Sequence, residues 1–364
     1  YCQEFTVKSV NKSRYHWITG AFVFRQTINR KVDLSRFTDT TRHLTNSGIP
    51  TQGIAFYHQS TLDLLQGLSC SVGLRYDYEH ARCDFSKVQQ PLNGNGETKS
   101  LEQFNRSLHF GQFTPKFSMQ YLSSHNQLFY ASVSKGYKAG GFNVSFLNND
   151  DYLYSPEYNW NYEIGTKLSF LNNRLSADLS LFYIDWRNQQ ITNTIPTVGN
   201  VIRNAGRSRN KGIEASFQAR PTKSWMMYMN YGYTDARFVH YQKEERGILK
   251  DYGGNYLPMV PRHTFSLTTG YSFYDICSWI DRLTLNAGVS VTGPIYWYED
   301  NQAKQSPYAL VNLRISINKG CFTWEAWSKN LTNTDYLSYY FVTSKAYAQK
   351  GKPITLGTSV SISL

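Results

Sequence analysis

Asp77 and Glu79 stand two residues apart in the segment GLRYDYE. On a strand, residues i and i+2 share a face, and two carboxylates on one face are the least equipment that general acid–base chemistry requires. Such chemistry also needs a nucleophile and a base within reach of each other. His43, His58, His80, His109, His125, His240 and His263 are dispersed, and none stands in a motif with Ser or Asp that would supply one. The carboxylate pair is therefore read as the lining of a polar interior, and no catalytic residue is assigned. Cys2, Cys70, Cys83, Cys277 and Cys321 show no C-x-x-C spacing and no His/Cys cluster, which argues against zinc. An odd number leaves at least one unpaired. Cys70 and Cys83 could bond across one loop, although isolated wall or loop residues is the simpler reading. No metal site and no cofactor is expected.

The elements that must hold these residues are clearest in the last segment, KPITLGTSVSISL. It places Ile354, Leu356, Val360, Ile362 and Leu364 on one side and Thr355, Gly357, Ser359, Ser361 and Ser363 on the other. Period-two alternation marks a strand with one apolar and one polar face. Trp225, Met227, Met229, Tyr231 and Tyr233 repeat the pattern, with aromatics at the ends of the apolar face and methionines between. Leu175, Ala177, Leu179, Leu181 and Tyr183 do so against Ser176, Asp178 and Ser180. Aromatic residues favour surfaces that are oily on one side and wet on the other, and the chain holds 28 Tyr and 8 Trp. Mean hydropathy is −0.48, and no window approaches the roughly 18 consecutive apolar residues of a spanning helix. A membrane barrel passes that test unseen, because only every second residue meets lipid.

Segments of this kind are expected at 3–10, 15–25, 54–61, 68–79, 113–122, 127–138, 158–171, 174–186, 210–220, 225–238, 263–274, 283–292, 308–318 and 322–330, besides the last. That makes about 15 strands. Their connections alternate. Short turns at 11–13, 123–126, 172–173, 221–224 and 319–320 exchange with long loops, two of them expected at about 26–52 and 80–100. Short turns on one side and long loops on the other suit an outer-membrane barrel, short toward the periplasm. A β-sandwich does not require that alternation, and no repeat of the length of a propeller blade is present. The net charge of +12 is spread over turns and loops rather than gathered in a stripe, which argues against nucleic acid. No linker divides the chain, so residues 1–364 are expected to form a single barrel domain.

If the last strand ends in the periplasm, counting back makes the first run inward as well. A bacterial barrel has an even strand count, so further strands are expected ahead of Tyr1. The chain also begins without a charged-then-apolar leader, which an exported protein needs. A processed or truncated chain is expected.

WITGAFVF (17–24), GLRYDYE (73–79), SKGYKAGGFN (134–143), NYEIGTK (161–167), LFYIDWRNQQI (181–191), NAGRSRNKGIE (204–214), VPRHTFSL (260–267) and WSKNLTNTDY (327–336) occur in this order. Together they resemble the C-terminal part of the barrel of TonB-dependent outer-membrane receptors, over essentially the whole chain. The resemblance implies an all-β transmembrane antiparallel barrel of about 22 strands closed by a plug, of which about seven strands, the plug and the TonB-contacting box would precede Tyr1. It implies uptake of a scarce nutrient across the outer membrane of a Gram-negative bacterium, most often a ferric siderophore, driven through TonB–ExbB–ExbD, with iron present only within the transported chelate. Haem, cobalamin or glycan uptake are the family's other cargoes. Leu364 departs from the family's terminal aromatic.

A charge on the lipid face costs about 2–4 kcal/mol for Arg or Lys at mid-membrane. Glu163, Lys167, Asp178 and Glu214 are accordingly expected to face the lumen, to pair there or to contact a plug. An anionic, aromatic chelate would suit basic, Tyr/Trp-rich loops through charge-assisted bonds and stacking. The loop residues expected to meet it are Arg203, Arg207, Tyr296, Trp297, Tyr298, Tyr339, Tyr340, Lys345 and Tyr347. Alternatively, loop tyrosines pack loops together and loop lysines face lipopolysaccharide. A passive porin and a soluble all-β adhesin are the rival readings.

Overall fold

The computed structural model describes residues 1–10, 13–36, 40–93, 96–195, 198–204, 206–245, 248–342 and 345–363. Leu364 lies outside them, as do Asn11 and Lys12 of the first expected turn. Fifteen strands bond to their neighbours in chain order in one antiparallel sheet. They are Cys2–Lys8, Tyr15–Arg36, Thr41–Leu65, Leu68–Pro91, Lys99–Leu122, Leu128–Lys138, Glu157–Phe170, Leu175–Arg187, Arg207–Ala219, Trp225–His240, His263–Cys277, Ile280–Thr292, Tyr308–Lys319, Phe322–Lys329 and Thr355–Ile362. From the turn after Leu65 onward the connections alternate in length as expected. Short ones use left-handed backbone, at Leu171, Asn172 and Asn173 (φ 52°, 54° and 65°) and at Gly320 (φ 53°). Asn and Gly tolerate that region best. Longer connections carry small hairpins, such as Gln190–Ile195 with Gly199–Asn204 and Leu337–Val342 with Ala346–Lys350.

Two expected loops are strand instead. Tyr15–Arg36 pairs with Thr41–Leu65 without a break from Tyr15↔Leu62 to Arg36↔Thr41. Leu68–Pro91 runs beside the latter as far as Pro91↔Thr41. The reason is physical. Alternation of hydropathy reports one oily and one wet face, and beyond the membrane the outer face is wet too, while the inner face at Ala81, Cys83 and Phe85 is buried. The backbone goes on pairing while the signal disappears, so 26–36, 41–52 and 80–91 read as loop. Twenty-two residues at about 3.4 Å each reach roughly 75 Å, far more than a membrane strand of about 9–11 residues needs.

The chain divides into two compact units. The first holds Tyr1–Met119, Val133–Trp160 and Trp186–Ala205, the second Gln120–Ser132, Asn161–Asp185 and Gly206–Leu364. In the second, the register lines up apolar rows such as Met229–Leu267–Val289–Val311 and Trp225–Tyr271–Leu285–Ile315–Ala326. The alternate positions form polar rows such as Ser272–Thr284–Ser316–Glu325–Ser359. In the first unit Phe5, Ala21, Phe56 and Tyr76 make an apolar row, and Thr6, Gly20, Tyr57 and Arg75 a polar one. The apolar faces are open: Phe5 is 65% exposed, Ile164 58% and Val360 67%. Apolar area on that scale calls for an apolar medium. No helix among the described residues is long and apolar enough to cross a membrane.

Candidate functional site

On the strand Leu68–Pro91 the polar face carries Gly73, Arg75, Asp77 and Glu79, and farther along the same face turns apolar at Ala81, Cys83 and Phe85. These three are buried with Phe142, against Ile49, Phe104, Leu108, Val144 and Phe146. The connection after Lys138 supplies Phe142, Val144 and Phe146 and closes as a short pair, Gly141–Phe142 with Leu153–Tyr154. Phe85 stacks on Phe104 at 4.8 Å and Phe104 on Tyr152 at 4.6 Å. The connection is therefore seated on the wall rather than free.

Polar side chains fasten it. The buried Asn143 donates Nδ2 to the Ile202 carbonyl at 2.8 Å, and its Oδ1 accepts the Ile202 N–H at 2.8 Å. Asp151, 5% exposed, accepts Nε and Nη2 of Arg203 at 2.7 and 2.8 Å. That guanidinium, with the Leu147 and Asn148 amides, holds the Asp151 carboxyl below its ordinary range. Arg203 thus joins two loops through a bidentate pair. Arg207 is similarly engaged, donating Nε to Asp185 at 2.5 Å.

A cleft of about 170 Å³ opens beside this seat, lined among others by Arg30, His43, Lys87, Phe85, Val144 and Phe146. Leu34↔His43 and Val32↔Thr45↔Lys87 place its basic residues on neighbouring strands. Cations beside aromatic and aliphatic walls can hold an anion with an apolar body. Sequence reasoning missed Arg30, His43 and Lys87 because their segment read as loop. The signal available was spacing from the strand core: each shares the parity of the polar face below it.

In the second unit the expected aromatic residues mostly pack on one another. Trp297 is 6% exposed and lies 6.5 and 6.4 Å from the rings of Tyr339 and Tyr340. The Tyr298 hydroxyl accepts the Val342 N–H at 2.6 Å. Burial pushes that hydroxyl above the ordinary phenol range, with the Val342 bond acting in the other direction. Tyr296 stacks on Tyr256 at 5.4 Å, and Tyr347 on Phe341 at 5.1 Å. Tyr339, Lys345 and Tyr347 remain exposed. The Arg203 and Arg207 side chains, though paired, are still 35% and 40% exposed.

Glu163 and Lys167 lie on the face opposite Ile164, Asp178 opposite Leu179, and Glu214 opposite Ile213. The Tyr130 hydroxyl donates to Glu163 at 2.7 Å, and Asp178 and Glu214 lie within electrostatic reach of that hydroxyl. Asp77 pairs with Arg75 at 2.7 Å on its own strand. All five cysteines are free, Cys70 and Cys83 included. Among the described residues no cluster of three or more His, Cys, Asp or Glu is placed to hold a metal.

The sequence pattern of the TonB dependent receptor-like β-barrel matches residues 5–333. The pesticin receptor of Yersinia pestis is 24% identical over 354 residues, which cover 93% of this chain and 48% of that protein. PiuA of Acinetobacter baumannii, a probable TonB-dependent siderophore receptor, is 26% identical over 241 residues, covering 62% of this chain and 30% of that protein. The crystal structure of the ferric yersiniabactin uptake receptor FyuA from Yersinia pestis aligns with a TM-score of 0.78 at 20% identity, over 99% of this chain and 53% of that one. The chain spans half or less of the length of each of these curated relatives.

Proposed function

The chain belongs to the TonB-dependent receptor β-barrel family, and from that premise we propose that it forms the C-terminal barrel portion of a receptor taking up a ferric siderophore. The match over residues 5–333 carries this reading, and the strands are those of a Gram-negative outer-membrane barrel. The apolar rows meet lipid and the polar rows face the lumen. There Glu163, Lys167, Asp178 and Glu214 line the path and meet the plug of such receptors. The cargo is an anionic chelate, iron its passenger. Arg30, His43 and Lys87 take its charge, and Tyr339, Lys345 and Tyr347 reach it from the loops. Energy comes through TonB–ExbB–ExbD, and no covalent step occurs on the protein.

The test is uptake of radiolabelled ferric siderophores by cells carrying the intact gene or its deletion. Uptake of one chelate should depend on the gene and on an energised membrane. Uptake that persists after TonB is removed would instead support a passive pore. In the Arg30→Ala, Lys87→Ala double variant, affinity for that chelate should fall about tenfold or more, since each charge-assisted bond is worth roughly 1.5–3 kcal/mol.

A further inference from the structure

In the second unit a hollow of about 670 Å³ opens beside the short turns that follow Phe170 and Ala219. Its wall is made of cross-strand partners, Met226–Gly270–Asn286 in one row and Ser272–Thr284 in the next but one. These positions share the parity of the polar row that runs through Ser272, Thr284 and Ser316. The hollow therefore opens on the lumen side of the sheet, at the short-turn end, which is the periplasmic one. A Cβ at Gly270 would meet Asn286 Oδ1, so the glycine keeps the floor clear.

Three cations stand at its edge. Arg174, Arg220 and Lys223 line the hollow and are exposed. The Arg220 N–H donates to the Arg174 carbonyl at 2.7 Å, which sets the two arginines opposite each other where their strands end. Like charges directly opposite destabilise a sheet unless something negative lies between. Among the described residues none of the three forms a salt bridge, and no acid lines the hollow. Lys319, at another of the short turns, is treated differently: Asp281 holds it at 2.6 Å. The unpaired charge at the hollow is thus a local feature of this part of the wall rather than a habit of all its turns.

We propose that this hollow is an exit subsite for the anionic chelate, holding cargo that has left the loops until it passes into the periplasm. The proposal rests on the uptake reading and extends it from the outer end of the path to the inner one. The volume lies within the roughly 300–1,000 Å³ of small-molecule sites. Two guanidinium forks and an ammonium suit a chelate whose anionic oxygens point outward, and Asn286, Ser272 and Thr284 offer neutral partners along the wall. Exposed charge pairs are weak, so retention is brief, as release requires. The buried guanidinium pair of Arg203 with Asp151 shows the opposite arrangement, one built to stay closed.

The test is methyl NMR of the intact gene product in detergent, labelled at methionine, with the Met226 signal assigned through Met226→Leu. The probes are two inert paramagnetic chromium(III) chelates, the trianionic tris-catecholate and the neutral tris-acetohydroxamate. The trianion should broaden the Met226 signal at about one tenth of the concentration that the neutral chelate needs, a preference that three exposed charge contacts can supply. Arg174→Gln, Arg220→Gln, Lys223→Gln should abolish that preference, and Arg174→Lys, Arg220→Lys should keep most of it. Equal response of Met226 to the two chelates in the wild type, including no response to either, would overturn the subsite, and this arm does not depend on any variant folding. So would an undiminished preference in the triple glutamine variant. Broadening at Met226 requires neither TonB nor uptake, so the subsite and the uptake reading can each fail without the other.

Discussion

Asp151 is nearly enclosed, and both its oxygens are bound by one guanidinium. Replacing Arg203 with Ala leaves that carboxylate without its partner and should raise hydrogen exchange across 141–154, equivalent to about 1.5–3 kcal/mol of easier local opening. The pair also makes opening pH-dependent. The folded carboxyl titrates below the unfolded value of 3.8, so its contribution is complete above that value. It is lost as pH falls through the lower folded value. Exchange of 141–154, corrected for intrinsic rates, should rise below about pH 4 in the wild type and stay flat there in Asp151→Asn. Gly357 gives a second local prediction. A Cβ at that position would meet the Trp327 ring of the neighbouring strand, so Gly357→Ala should destabilise the sheet by roughly 1–3 kcal/mol in urea unfolding from detergent.

At the scale of elements, the alternating faces predict an asymmetry. Leu267 lies in an apolar row between Met229 and Val289, and Ser266 in a polar row between Asn230 and Ser290. Leu267→Arg should cost about 2–4 kcal/mol in folding into vesicles and Ser266→Arg far less. The Trp297 seat should behave as a shared anchor. Trp297→Ala should raise exchange both in 293–307 and in 337–350, whereas Tyr347→Ala should leave exchange near wild type. The strands were legible where one face meets oil, because Leu175–Tyr183 and Trp225–Tyr233 alternate strictly. Beyond the oil the pattern stopped at Arg25 although the strand continues to Arg36. The loop residues were legible by type but not by task. An arginine in a Gly/Asn-rich loop reads as available, whereas in the fold Asp151 and Asp185 hold Arg203 and Arg207. Trp297 likewise reads as a contact surface from its neighbours, yet its burial makes it a packing residue.

For the whole molecule, the open apolar rows mean that the protein should leave membranes only with detergent and band with outer membrane on a sucrose gradient. Recovery from the soluble fraction would contradict the lipid-facing assignment.

The unbroken pairing from Tyr15↔Leu62 to Arg36↔Thr41 also limits how this arm can diverge between species. Adding a single residue to one strand would turn the side chains beyond it to the wrong face, Arg30 for an insertion low in the first strand and His43 for one low in the second. Descendants of this hairpin should therefore differ by even numbers of residues matched on both sides, or carry a bulge where the count is odd. Insertions free of that arithmetic should concentrate at the tip, between Arg36 and Thr41.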